Sequence, residues 1–219
     1  MKSFFLTDTG RVRYHNEDSV TILKNAKSLM KEIIQEPKNV YELTQERLRV
    51  IFDEFDNIYV SFSGGKDSGV LLNLCIDYIR RNNLKRKIGV FHMDYEIQYK
   101  MTIDFVDQIL EKNKDLLDVY RICLPFRVAT STSMYQSYWR PWDEKMKDAW
   151  VRQMPKNAMT IKDFPELKPE AWDYDFQLYF AQWLHKKKKA TRTCCLVGIR
   201  TQESFSRWRC IFQVPNNVL

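Results

Sequence analysis

Residues 57–81 read Asn57-Ile-Tyr-Val-Ser-Phe-Ser-Gly-Gly-Lys-Asp-Ser-Gly-Val-Leu-Leu-Asn-Leu-Cys-Ile-Asp-Tyr-Ile-Arg-Arg81. The run Asn57–Phe62 is short and rich in β-formers. From Val70 the apolar residues Val70, Leu71, Leu74, Cys75 and Tyr78 recur at helical spacing, roughly to Arg81. Between strand and helix stands Ser63-Gly-Gly-Lys-Asp-Ser68. Two glycines let the backbone turn tightly and approach a ligand closely. The helix start presents unpaired N–H groups and the positive end of its dipole, which together favour an anion. A turn that only capped the helix would need Asp67 or Ser68, but not two glycines, a lysine and flanking serines as well. A Walker A loop requires four residues between its first glycine and Gly-Lys-Ser/Thr, and that spacing is absent here. The segment predicts a phosphate-binding loop of another kind.

The same alternation continues outward. Asn39 with Glu42 forms a capping pair ahead of a helix over 40–55, on which Leu48, Ile51, Phe52 and Phe55 share a face. Downstream, Lys87–Met93 reads as a strand, Ile97–Asn113 as a helix, Val119–Leu124 as a strand and Thr193–Ile199 as a further strand. Strands alternating with helices predict an α/β fold with a mostly parallel sheet covered on both faces. Residues 125–190 carry five of the six tryptophans and end in Lys186–Lys189; they read as an aromatic-rich, largely helical insertion. The expected organisation is an N-terminal arm or helix over 1–36 and one nucleotide-binding domain over 37–219. Within the arm, Gly10–Asp18 superficially resembles the metal-binding start of PP2C-type phosphatases, but the alternation downstream is not that of a β-sandwich.

Composition narrows the class. The chain has 219 residues, with 35 basic and 28 acidic side chains giving +7 at pH 7, a balance suited to an anionic ligand. At 44% hydrophobic residues a packed core is expected and wholesale disorder is not. No apolar run approaches the ~20 residues that span a bilayer, and the polar N-terminus does not read as a secretory signal. The expectation is a soluble cytoplasmic protein without membrane contact. Its five cysteines, with no C-x-x-C pair, read as reduced thiols.

Phe62-Ser-Gly-Gly-Lys-Asp-Ser68 resembles the PP-loop of the adenine-nucleotide α-hydrolase-like superfamily and, within it, the phosphoadenosine phosphosulfate (PAPS) reductase family. Val90-Phe-His-Met-Asp94 is similar to the family segment ending "DTG", with Tyr95-Glu96 in place of Thr-Gly. Val197-Gly-Ile-Arg-Thr-Gln-Glu-Ser204 followed by Arg207 is similar to the late "G-x-R…E/S…R" segment. The approach Asn39–Arg47 and Phe55–Ile58 resembles the branch containing IbrA-type proteins, whose members are generally longer. The resemblance covers about residues 40–212 and implies a Rossmann-like or flavodoxin-like three-layer fold.

Carried onto this chain, the resemblance implies nucleotide contacts at Ser63, Gly64, Gly65, Lys66, Asp67, Ser68, Asp94, Arg200, Glu203, Ser204 and Arg207. Lys66, Asp67 and Arg200 stand as catalytic candidates and Asp67 as a Mg²⁺ ligand; the nucleotide is ATP or PAPS. Glu203 and Arg207, four apart, also suit a plain helical ion pair. His92 reads as structural. The sulfate-pathway motif Glu-Cys-Gly-hydrophobic-His is absent, and Cys194 and Cys195, adjacent on a strand, point to opposite faces, so no iron–sulfur cluster is expected. Three functions stay open: cleavage of the α–β bond of ATP to adenylate an acceptor, sulfonucleotide reduction or sulfur transfer completed by a missing segment or partner, and a non-catalytic nucleotide-responsive regulator of protein or DNA. The tryptophans and lysines of 125–190 keep nucleic acid among the candidate partners.

Overall fold

The computed structural model describes residues 39–130, 132–168, 170–200, 203–205 and 207. The arm expected over 1–36, the Gly10–Asp18 stretch and Cys210 lie outside them.

The first helix, α1 (Val40–Glu54), begins at the expected capping box, with Asn39 Oδ1 accepting from the Glu42 amide and Glu42 Oε2 from the Asn39 amide, each at 3.0 Å. Then follow β1 (Asn57–Ser61), α2 (Lys66–Arg81), β2 (Ile88–Met93), α3 (Lys100–Lys112) and β3 (Leu117–Ile122). A small antiparallel hairpin, β4 (Val128–Ala129) with β5 (Tyr138–Trp139), precedes two 3-10 turns, the short β6 (Ala158–Met159), α4 (Asp173–Lys187) and β7 (Thr193–Val197).

The main sheet has the order β6-β3-β2-β1-β7, with every pairing parallel. Its strands are buried on both faces, hence the near-continuous apolar runs of β1 and β2. Ile58, Val60, Ile88, Val90, Cys194 and Leu196 face a core shared with α1, α2 and α3. Tyr59, Phe91, Tyr120 and Ile122 face the other side, where Phe176, Phe180 and Leu184 of α4 and Phe164 cover them. The result is the three-layer α/β fold anticipated. Cys194 and Cys195 fall on opposite faces, as the strand period requires.

Residues 125–190 differ from the expectation. They are not a largely helical insertion: a hairpin, 3-10 turns and a strand of the main sheet precede the one α-helix, and β6 and α4 are integral to the sheet and its cover. Five of the chain's seven prolines fall in this stretch (Pro125, Pro141, Pro155, Pro165 and Pro169), and proline breaks helix interiors by removing a donor. Of its five indoles one is buried and four are half-buried. Trp142 is 1% exposed and Trp183 lies against the α4 core.

The chain runs outward from β1 through β2 and β3 to β6, then returns to place β7 on the other side of β1. Asp56 holds that return, accepting the Thr191 and Arg192 amides at 2.7 Å each, while Asn57 Nδ2 donates to Thr193 Oγ1 at 3.0 Å. The direction of travel reverses between β1 and β7. In open α/β sheets, ligands bind outside the carboxyl ends of the strands at such a switch point.

Candidate functional site

The carboxyl end of β1 runs into the 63–68 loop and that of β7 into Gly198-Ile199-Arg200, so both stand at the switch point. Gly64 has φ +79°, and a Cβ there would lie 2.8 Å from Thr102 Cγ2 and from Val106 Cγ2. Left-handed backbone pressed against α3 requires glycine. Gly65 is the N-cap of α2 and no side chain caps the helix; the first intrahelical bond is from the Gly69 amide to Gly65 O, at 2.9 Å. The amides of Lys66, Asp67 and Ser68 are therefore the donors a helix start leaves without intrahelical partners.

The two serines shape the loop. Ser68 Oγ donates to Gly65 O at 3.1 Å and accepts from the Ser63 amide at 3.3 Å. With that proton committed, Ser63 Oγ donates to Ser68 Oγ across 3.0 Å and accepts from the Gly65 amide at 3.3 Å. The hydroxyls are spent holding the turn, which leaves the backbone amides of the helix start and the exposed Lys66 as the groups an anion could meet.

Arg200 reaches this loop. Its Nη2 lies 3.5 Å from Asp67 Oδ2 and 3.4 Å from Glu203 Oε1, and Glu203 also pairs with Arg207. One carboxylate thus holds both arginines, and the plain Glu203–Arg207 ion pair is present. Ser204 Oγ accepts from the Arg207 amide at 3.2 Å, which makes it a cap of that turn. Gly198 sits against the start of α2: a Cβ on it would fall 2.9 Å from the Asp67 carbonyl carbon. The structure therefore brings Ser63–Ser68, Arg200, Glu203, Ser204 and Arg207 to one edge of the sheet.

Asp94 lies at the end of β2 on the same edge, fully buried. Its Oδ2 accepts from Arg121 Nε at 3.0 Å, and its Oδ1 from the Glu96 amide at 3.0 Å and from Arg152. Both oxygens are engaged by two arginines and an amide. Glu96, where the resembled family has glycine, adopts φ +65° and is also buried. Its carboxylate accepts from the Trp142 amide at 2.7 Å and the Val151 amide at 3.1 Å, while its carbonyl accepts Arg152 Nε at 3.0 Å. Trp142 Nε1 donates to Asp94 O at 2.7 Å, and the Arg152 guanidinium lies over the Trp142 ring. Asp94 and Glu96 thereby anchor residues 140–152 to the sheet edge.

Sequence reasoning missed Glu96, Arg121, Arg152 and the role of Gly198. The one available signal was Glu96, a side chain standing where the resembled motif has glycine.

Beside this anchor, an open cleft of about 810 Å³ at the ends of β3 and β6 is lined by residues including Cys123, Trp142, Lys147, Trp150, Arg152 and Thr160. Burial pushes the Cys123 thiol well up, with Asp94 adding to the effect; burial likewise raises Cys75 and Cys195 to about 12 and Cys194 well above its usual value. None of these four thiols is disposed to ionise near neutrality.

Mg²⁺ is commonly held by one or two carboxylates together with substrate phosphates. Half-buried Asp67, at the helix start that would face those phosphates, fits such a donor set. Among the described residues no group of three or more His, Cys, Asp or Glu side chains gathers into a metal site, and none of the described helices is long and apolar enough to cross a membrane.

The phosphoadenosine phosphosulfate reductase domain model matches residues 57–214, from the first residue of β1 through β7 and the arginine segment. The uncharacterized protein YbdN of Escherichia coli (strain K12) is 34% identical over 174 residues, which is 78% of this chain and 41% of the relative. The match thus spans less than half of that relative's length.

Proposed function

The chain belongs to the phosphoadenosine phosphosulfate reductase domain family, and for this member we propose binding of an adenine nucleotide, ATP or a PAPS-type sulfonucleotide, at the β1/β7 switch point. The observation that carries this reading is the convergence of the uncapped α2 start, Lys66 and Arg200, with Gly198 seated against Asp67.

The reaction favoured is adenylation of an acceptor by ATP. An acceptor atom forms a bond to the α-phosphorus, the bond from that phosphorus to the bridging oxygen breaks, and pyrophosphate leaves with the electron pair. The amides of Lys66–Ser68 and the Lys66 ammonium hold the pyrophosphate, and preorganised donors aimed at developing charge need no rearrangement during the reaction. Arg200, steadied by Glu203, neutralises charge on the other side. Mg²⁺, held by Asp67 and the phosphates, would supply further charge neutralisation. Positioning and electrostatics suffice for phosphoryl-type transfers without a dedicated strong base. The narrower likeness to IbrA-type proteins and a cytoplasmic location belong to the same reading; the free thiols Cys75, Cys123, Cys194 and Cys195 suit a reducing compartment.

Sulfonucleotide reduction would need an attacking thiolate from outside the described residues, since the four thiols described are buried or held protonated. Phosphorus-31 NMR of Mg-ATP with the protein and candidate acceptors separates the outcomes. AMP and pyrophosphate as products support adenylation. ADP as product contradicts it, and tight binding without turnover assigns a regulator of a protein or DNA partner instead.

A further inference from the structure

His92 lies beneath the entrance to the 63–68 loop and takes no part in the function proposed above. It is fully buried on β2, and its Nδ1 is 2.8 Å from the carbonyl oxygen of Phe62, the residue that leads into Ser63. The Phe62 amide donates in turn to Phe91 O at 2.8 Å, so two consecutive residues of β2 grip both backbone polar groups of the loop-entry residue. A carbonyl oxygen only accepts. The hydrogen must therefore sit on Nδ1, and Nε2 of the neutral ring is left as an acceptor.

That Nε2 is buried with no hydrogen-bond partner among the described residues. On the neighbouring strand Arg121 is the register partner of His92, so the two side chains share a face of the sheet. Arg121 Nη2 is likewise buried without a partner, while Nε and Nη1 are taken by Asp94 and Asp107. An orphaned donor and an orphaned acceptor thus stand on adjacent strands. A proton on Nε2 would turn the acceptor into a second donor and place a second positive charge next to the guanidinium. Burial and these two effects favour the neutral Nδ1–H form, against the pull of Asp94 and Asp107, the two carboxylates that pair with the same guanidinium.

We infer that His92 is a positioning residue for the phosphate loop: its Nδ1–H tautomer, selected by the Phe62 carbonyl and the Arg121 guanidinium, fixes the peptide from which the loop amides are aimed. Its functional meaning rests on anion binding at the loop, whereas the tautomer and its hold on Phe62 do not.

The test pairs two substitutions. In His92→Asn the side-chain amide nitrogen falls near the Nδ1 position and can still donate to Phe62 O; in His92→Gln it falls near the Nε2 position and cannot. Wild-type ¹⁵N ring shifts should show a protonated Nδ1 and an unprotonated Nε2 between pH 6 and 8. Amide exchange across Ser63–Ser68 should be at least tenfold faster in His92→Gln than in His92→Asn at matched denaturant midpoints, and pyrophosphate affinity should follow the same order. An Nε2–H tautomer in the wild type, which requires no variant to fold, would overturn the inference. So would equal loop exchange in the two variants. If wild-type protein binds no pyrophosphate, the nucleotide reading falls, and the tautomer and exchange results decide the positioning role on their own.

Discussion

Gly198, the first residue after β7, rests directly on the backbone of Asp67 in the first turn of α2; a Cβ there would lie 2.9 Å from the Asp67 carbonyl carbon and 3.0 Å from the Ser68 nitrogen. The neighbouring atoms are backbone, so they cannot step aside as the end of a flexible side chain would. Gly198→Ala should push the β7 end away from the helix start and carry Arg200 with it. We expect nucleotide affinity to fall about tenfold, equivalent to about 1.4 kcal/mol, with the sheet intact by circular dichroism. Unchanged affinity in calorimetric titration would separate Arg200 from the loop.

Gly64→Ala tests the loop from its other side. The substitution forces a side chain into left-handed backbone and against Thr102 and Val106, both 2.8 Å from the added carbon. Strain of this kind costs about 1–3 kcal/mol, and overpacking adds a similar amount. Both the denaturation midpoint and nucleotide affinity should drop, with a larger fall in stability than for Gly198→Ala.

Glu203→Gln removes the charge that holds Arg200 and Arg207 together. The arginine side chains are 50% and 49% exposed, so the stability change should stay within the ~0–1 kcal/mol typical of surface pairs. Nucleotide affinity should fall more than stability does, by about threefold to tenfold, because both arginines lose their orientation. Equal affinity would leave Glu203 with only the plain ion pair.

Glu96→Gly restores the residue type of the resembled motif and relieves a positive φ, a gain of about 1 kcal/mol. It also strips the Trp142 and Val151 amides of their acceptor, at about 1–3 kcal/mol for the buried Trp142 amide left unsatisfied and less for the part-exposed Val151 amide. The loss should win. Lower stability with faster proteolysis in 140–152 is expected, and a stabilised variant would show that Glu96 does not anchor this segment.

Burial holds His92 below its usual range, against the opposing pull of its bond to Phe62 and of Asp94. A histidine whose folded pKa is depressed binds its proton more readily when unfolded. Its contribution to stability is therefore complete above the unfolded value of about 6.5 and is lost as pH falls below that toward the lower folded value. Unfolding free energy should decline from pH 7 toward pH 5 by up to about 1.4 kcal/mol per unit, and His92→Asn should flatten that slope. An identical slope in the variant would remove His92 as its source.

The elements that surround the loop were legible because their signals are local. Strand, glycine turn and helix follow one another over 57–81, and the Asn39/Glu42 box lies within four residues. The anchor of residues 140–152 was not legible, since it joins Asp94 to Arg152 across 58 positions with no period to betray it. Arg121 likewise sits inside an otherwise ordinary strand, and nothing in its neighbours announces a buried pair with Asp94. Residues 125–190 were misjudged as an insertion because β6 has two residues, too few for alternation to register. Asp94 is legible as a strand-end carboxylate, but its partners come from β3 and from the far side of the hairpin, which only the fold brings together.

The most direct test is calorimetric titration of the protein with Mg-ATP, PAPS, AMP and pyrophosphate, repeated on Lys66→Ala and Arg200→Ala. The proposed site predicts micromolar-range binding of at least one adenine nucleotide, weakened about tenfold or more in each variant, as expected for a lost charge-assisted contact. A folded wild-type protein that binds none of them, or variants that bind as the wild type does, would contradict a nucleotide site at the β1/β7 switch point.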